Sequence, residues 1–235
     1  MRTKHPPPDW ASDQLAATWQ SASLLLGYPD ARLREQLPIV RAAATRLPSR
    51  LGTPLLEVVD HLERNDLQVL QEAYVETFDT RRRCNLFLTY FAHGDTRKRG
   101  VALLRFKQTY LRSGVALDAQ PDTGAELPDH LCVVLEYAAT VDQEQGWRLL
   151  LDHRAGLELL RLSLLEQESP WAGAVAAISA TFPPLRGDER DAVRALAAEG
   201  PPAEEVGLTP YGGPAFDATL AEATVDLPMP RVRGG

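Results

Sequence analysis

The sequence predicts an all-α protein, a single bundle of about eight to ten helices with an irregular C-terminal tail. Three observations predict it. Ala and Leu dominate while β-branched residues are scarce, a composition that favours helices over a sheet. Apolar residues recur at helical spacing in one segment after another, and Pro, Gly or Asp separates the segments. A chain of 235 residues is also long enough to bury roughly 70% of its unfolded surface in one domain. No repeat period points to a solenoid.

Residues 1–8 form a proline-rich, flexible lead-in, and the all-helical domain spans 9–199. Asp9 precedes a helical run to Leu26, with Leu15, Trp19, Ala22 and Leu26 on one side, and Gly27-Tyr28-Pro29 stops it. Asp30 caps a second helix, which Pro38 is expected to interrupt before a new turn over Ile39–Leu47. Thr53-Pro54 reads as the start of Leu55–Arg64. Leu67–Phe78 follows, with Leu67, Leu70, Tyr74 and Phe78 in one stripe. Leu86–Phe91 is apolar nearly all round, the pattern of a helix that is buried or covered. From Arg97 to Arg112 the pattern is amphipathic, with Leu103, Phe106 and Tyr110 on one side and Lys98, Arg105 and Arg112 on another. A polar loop over 114–127 leads to Pro128, which opens the next helix. Asp129 in its first turn suits the positive helix end, and Leu131, Val134, Leu135 and Ala138 face the core. One long helix is expected from Asp142 to Glu168, and two short ones over Trp171–Thr181 and Asp188–Glu199. Beyond Gly200-Pro201-Pro202 no period survives, so 200–235 reads as a Pro/Gly-rich acidic tail, extended or disordered.

Charge is distributed unevenly. The chain carries a net charge of −7, which argues against general binding of nucleic acid or anionic membrane. Residues 81–112, however, hold nine basic side chains and one acidic one, Asp95. This basic segment is either neutralised within the molecule or meets an acidic partner, RNA among them, and its stripe Lys98, Arg105 and Arg112 is either a solvated face or one that steers an oppositely charged partner. Two cysteines, Cys84 and Cys132, form neither a metal spacing nor a disulfide framework. They suit the reducing cytoplasm expected for a chain whose N-terminus lacks an apolar signal region. No stretch approaches the length of a membrane span. The histidines form no HxxxH or HExxH motif, and there is no nucleophile elbow, P-loop or GxGxxG. Neither a metal nor another cofactor is therefore expected, and a binding protein is a better reading than an enzyme.

Aromatics, arginines and helix punctuation are densest in TFDTRRRCNLFLTYFAHGDTRKRGVALLRFKQTY and, further on, in ELPDHLCVVLE. These two stretches resemble the assembly chaperones of respiratory nitrate reductase, the NarJ family, related to the TorD-like chaperones of other molybdoenzymes. The resemblance covers roughly residues 10–170 and departs from the family at Cys132, where a proline is expected after ELPDHL. It implies a TorD-like helical bundle. It also implies a chaperone, absent from the final enzyme, that binds the N-terminal segment of the apo catalytic (alpha) subunit. That binding keeps the subunit competent for molybdenum cofactor insertion before membrane docking. Within ELPDHL the resemblance assigns partner binding to Asp129 and His130. The residue pattern itself suggests a groove near Phe87, Tyr90 and Phe91, with Arg83, Arg105, Asp129 and Glu136 at its rim fixing the client's register.

Overall fold

The computed structural model describes residues 9–116 and 127–202; the lead-in, loop residues 117–126 and the tail from 203 lie outside the described residues. Among those described there are eleven α-helices and no strand, an all-α architecture. They are α1 (Ser12–Leu25), α2 (Ala31–Arg46), α3 (Ser49–Arg64), α4 (Leu67–Tyr74), α5 (Tyr90–His93), α6 (Arg97–Arg112), α7 (Leu131–Thr140), α8 (Gln143–Asp152), α9 (Arg154–Glu166), α10 (Ala172–Ala180) and α11 (Gly187–Glu199). A π-turn, Val75–Asp79, and a 3-10 turn, Arg82–Cys84, link α4 to the segment that carries α5.

Helix α1 is the central element and packs on α7, α10, α2 and α3. Its expected stripe of Leu15, Trp19, Ala22 and Leu26 is fully buried. Indole rings organise this interior. Trp19 donates from Nε1 to Thr181 Oγ1 at 3.3 Å and lies 6.0 Å from the Trp147 ring, which in turn packs on Phe182. Trp10 donates to the carbonyl of Ala180 at 3.0 Å. Trp171 stands edge-on to Tyr74 and Phe78, with ring centroids 5.6 and 5.5 Å away. The π-turn over Val75–Asp79 adds a residue to the helical turn just where these rings must converge on Trp171.

Several boundaries differ from the sequence expectation, each for a physical reason. Pro38 does not interrupt α2. The helix runs on through it because Leu33, Leu37, Val40 and Ala44 bury one continuous face against α3, and this offsets the lost backbone bond. Helix α3 begins at Ser49, not after Pro54, and buries Leu51 and Gly52 ahead of that proline. The early start brings Pro54 against α10, where a Cβ on Gly173 would lie 2.2 Å from the Pro54 carbonyl oxygen. The long helix expected over 142–168 is broken at His153, whose Nδ1 donates to the Leu149 carbonyl at 2.8 Å and caps α8 from within. The stretch Leu86–Leu88 is not helical; Phe87 pairs with His130 in one isolated antiparallel bridge, and Leu88 and Thr89 turn into α5. Helix α7 starts at Leu131 with His130 as its N-cap, so Asp129 precedes the helix and does not sit in its first turn. At the other end the packed body continues past residue 199: Pro201 is buried.

Two glycines separate packing from propensity. Gly173→Ala drives a methyl into the Pro54 carbonyl and is expected to cost about 1–3 kcal/mol. Gly100→Ala, in an exposed turn of α6 with nothing within 4 Å, is expected to gain up to about 1 kcal/mol from helix propensity. Urea unfolding of the two variants against the parent chain measures both signs.

Candidate functional site

Two stretches that are distant in sequence cross next to α6. The amide of Leu88 donates to the Asp129 carbonyl at 3.0 Å, and that of Leu131 donates to the Leu86 carbonyl at 2.8 Å. This crossing sets the Phe87 and His130 rings edge to face at 5.1 Å. Asp129 lies beneath them at 0% exposure. Its Oδ2 accepts from the Thr89 amide at 3.1 Å and from Thr89 Oγ1 at 2.5 Å. Arg99 reaches in from the first turn of α6. Its guanidinium stands 3.8 Å from the same carboxylate oxygen, lies 5.1 Å above the Phe87 ring, donates to Thr89 Oγ1 at 3.2 Å and pairs with Asp95 at 2.9 Å. Tyr110 on the buried side of α6 donates to the Pro128 carbonyl at 2.6 Å and fixes the turn from below.

Beside this crossing lies a half-open cleft of about 230 Å³ between α5, the α8–α9 break and α11. Leu88, Phe91 and Ala92 form one wall, His153 and Gly156 the floor, and Ala192 and Leu196 of α11 the other wall. The floor has to be glycine, because a Cβ on Gly156 would lie 2.7 Å from the Phe91 ring. Burial holds the His153 imidazole below its usual pKa, so the cleft floor favours a neutral ring. The Phe106 ring packs on it at 5.1 Å.

A strap closes the far end of α5. Gly200, at φ +75°, turns the chain back after α11. The Pro202 carbonyl then accepts from Arg82 Nη2 at 2.9 Å, while Arg82 Nε donates to the Tyr90 hydroxyl at 2.8 Å. Gly94, at φ +55°, lets the strap pass, since a Cβ there would come within 2.4 Å of the Pro202 carbonyl oxygen.

The expected site residues therefore separate into groups. Phe87, Asp129 and His130 come together at the crossing. Phe91 lines the cleft, and the buried Tyr90 ring lies beside it at 6.3 Å. Asp129 lies fully buried and not at a rim: its Oδ2 meets Thr89 and Arg99, while its Oδ1 has no hydrogen-bond partner among the described residues. Arg83 is exposed near Gly200, and Arg105 and Glu136 are exposed on α6 and α7, away from the three that meet at the crossing. Sequence reasoning missed Thr89, Arg99, His153 and Gly156. Thr89 carried a signal, a lone hydroxyl inside the apolar run LFLTYF. Arg99 carried none that set it apart from Arg97 and Lys98.

The model of the nitrate reductase delta subunit family matches residues 44–177, more than half of the chain. The chain belongs to this family. A nitrate reductase molybdenum cofactor assembly chaperone, NarJ, of Bacillus subtilis is 33% identical over 156 residues, which cover 66% of this chain and 82% of that protein. NarJ of Escherichia coli K12 is 34% identical over 64% of this chain and 63% of its own length. The nitrate reductase-like protein NarX of Mycobacterium tuberculosis is 42% identical over 73% of this chain, which spans only 25% of NarX. In fold, the chain matches a crystal structure from Archaeoglobus fulgidus described as a redox enzyme maturation protein. The TM-score is 0.50 at 23% identity, covering 76% of this chain and 97% of the other. The family resemblance and the TorD-like helical fold expected from the sequence thus both hold.

Removing the buried carboxylate by Asp129→Ala leaves the Thr89 amide and hydroxyl without their acceptor while Arg99 keeps Asp95, at an expected cost of about 1–3 kcal/mol. Asp129→Asn keeps an acceptor for Thr89 and is expected to cost less; thermal and urea unfolding rank the two. His153 has a pKa below 6.5 in the folded chain, so the unfolded chain binds the extra proton first. Stability is full above about pH 6.5 and falls as the pH drops below it. His61, also lowered by burial, contributes in the same sense. Urea midpoints measured across this range should decline less steeply in His153→Leu.

Proposed function

We propose that this chain is a system-specific chaperone for nitrate reductase, acting on the apo catalytic subunit through that subunit's N-terminal segment. In this reading it keeps the subunit competent for molybdenum cofactor insertion until membrane docking, is absent from the finished enzyme and catalyses no reaction itself. It acts in the cytoplasm; among the described residues no helix is long and apolar enough to cross a membrane. The names of the NarJ relatives support the client class.

The observation that carries the reading is the cleft. At about 230 Å³ it is smaller than the roughly 300–1,000 Å³ of a site for a drug-sized ligand. It has apolar walls and an open side, and it suits one or two anchoring side chains of an amphipathic segment. Phe91 and Leu88 contact the anchor. Phe87 and His130, partly exposed at the crossing next to it, continue the surface. Tyr90 and Asp129 serve by position, holding α5 and the crossing, while Arg83, Arg105 and Glu136 act as outlying charges on the approaching client. The rival reading, an RNA adaptor using residues 81–112, is disfavoured because several of its cations are already engaged. Arg81 pairs with Glu76 at 2.7 Å, Arg82 serves the strap and Arg99 serves Asp129.

Phe91 is too deeply buried for its removal to be a clean test. Ala192 is an exposed alanine on the cleft wall, and Ala192→Trp plugs the opening without touching the core. Calorimetric titration with a peptide copying the N-terminus of the catalytic subunit should give saturable one-to-one binding to the parent chain. Affinity for Ala192→Trp should be weaker by about tenfold or more. Equal affinity for both proteins removes the cleft as the site, and no binding of peptide or intact apo subunit to the parent removes the chaperone reading.

A further inference from the structure

Helix α6 is bound to the body by little of its surface. Of its sixteen residues only Phe106 and Tyr110 are buried. Its outward side carries Val101, Leu104 and Leu111, which are 59%, 56% and 61% exposed. Residues three and seven apart on a helix share a face, so the three side chains make one apolar ridge about 15 Å long. Lys107 flanks the ridge on one side, and Lys98 and Arg112 flank it on the other. The helix contains no acidic residue.

The cations are also placed against the helix's own field. The first turn of a helix favours anions, yet α6 opens with Arg97, Lys98 and Arg99 and has no acid in that turn. Arg99 is offset by Asp95 and Asp129. Arg97 and Lys98 are exposed, and neither forms an ion pair with another described residue.

We propose that the outer face of α6 docks on an anionic lipid surface. The helix would lie in the headgroup plane with Val101, Leu104 and Leu111 inserted shallowly and the flanking cations among the headgroups. This assignment does not depend on the client-binding reading. Charge complementarity selects an anionic partner, and the apolar ridge narrows the choice further. A nucleic acid would use the cations but leave the three aliphatic side chains in water, and the face offers no exposed aromatic for base stacking. A bilayer interface uses both. The net charge of −7 argues against general membrane binding but acts weakly on this local face, because charges more than about 8 Å from the headgroups are largely screened at physiological ionic strength.

The test is co-sedimentation of the full chain with vesicles of phosphatidylglycerol and, separately, of phosphatidylcholine. Retention on phosphatidylglycerol alone, falling with added salt, is the expected result. Lys98→Gln with Arg112→Gln should lower the partition coefficient roughly thirtyfold. Leu104→Ser with Leu111→Ser should abolish retention even at low salt. Both pairs are exposed, so unchanged far-ultraviolet circular dichroism and melting are expected to accompany the loss. No retention on phosphatidylglycerol, or retention that neither pair changes, overturns the proposal. Single-stranded RNA binding that only the cation pair weakens would also overturn it and assign the face to nucleic acid.

Discussion

One buried carboxyl group joins the segments around the candidate site. Asp129 is enclosed completely, and a carboxylate without water is tolerable only when donors and a cation surround it. Thr89 supplies two hydrogen bonds and Arg99 the charge. Those three residues come from the segment before α5, the segment before α7 and the start of α6. A single carboxyl group therefore adds a side-chain tie to three pieces of chain that backbone and ring contacts also join. The Phe87–His130 bridge and the start of α5 lie directly against that tie.

The site divides into side chains that present surface and side chains that position them. Phe91, Leu88 and Leu196 present surface. Arg82, Tyr90 and the strap at Gly200–Pro202 hold α5 from one end, and the Asp129 cluster holds it from the other. The helix break at His153 opens the floor, and Gly156 lets the Phe91 ring settle on it. A four-residue helix cannot keep its own shape in water. The concentration of tethers around α5 is what makes a fixed wall out of so short an element.

Much of this was legible in the sequence. Helical periodicity located α1, α4, α6 and α10 closely, and the density of motifs pointed to the segments that cross at the site. What stayed hidden is instructive. Periodicity cannot report a break made by one histidine side chain competing for a carbonyl, so α8 and α9 read as one helix. Proline rules overstated Pro38 and Pro54 because local rules do not see the burial that compensates them. The apolar run Leu86–Phe91 read as one helix, buried or covered, and only Tyr90 and Phe91 of it are helical, while all but Phe87 are buried. Its partner, forty residues away, satisfies its backbone instead, and no local pattern carries that information. The charges were the hardest. Asp129 and Arg83 look alike as rim residues in a linear string, and only depth distinguishes a positioning group from one that can touch a client.

The arrangement of the indole rings has an optical corollary. All four tryptophans of the chain are committed elsewhere: Trp10, Trp19 and Trp147 to the interior around α1 and the end of α10, and Trp171 to the Tyr74–Phe78 pair. None lines the cleft. Three of them are buried and Trp10 is half-buried against the core, so their emission reports mainly on the interior. A change in that signal therefore reports on the core, and the cleft, which no tryptophan lines, has no indole of its own to report on what fills it.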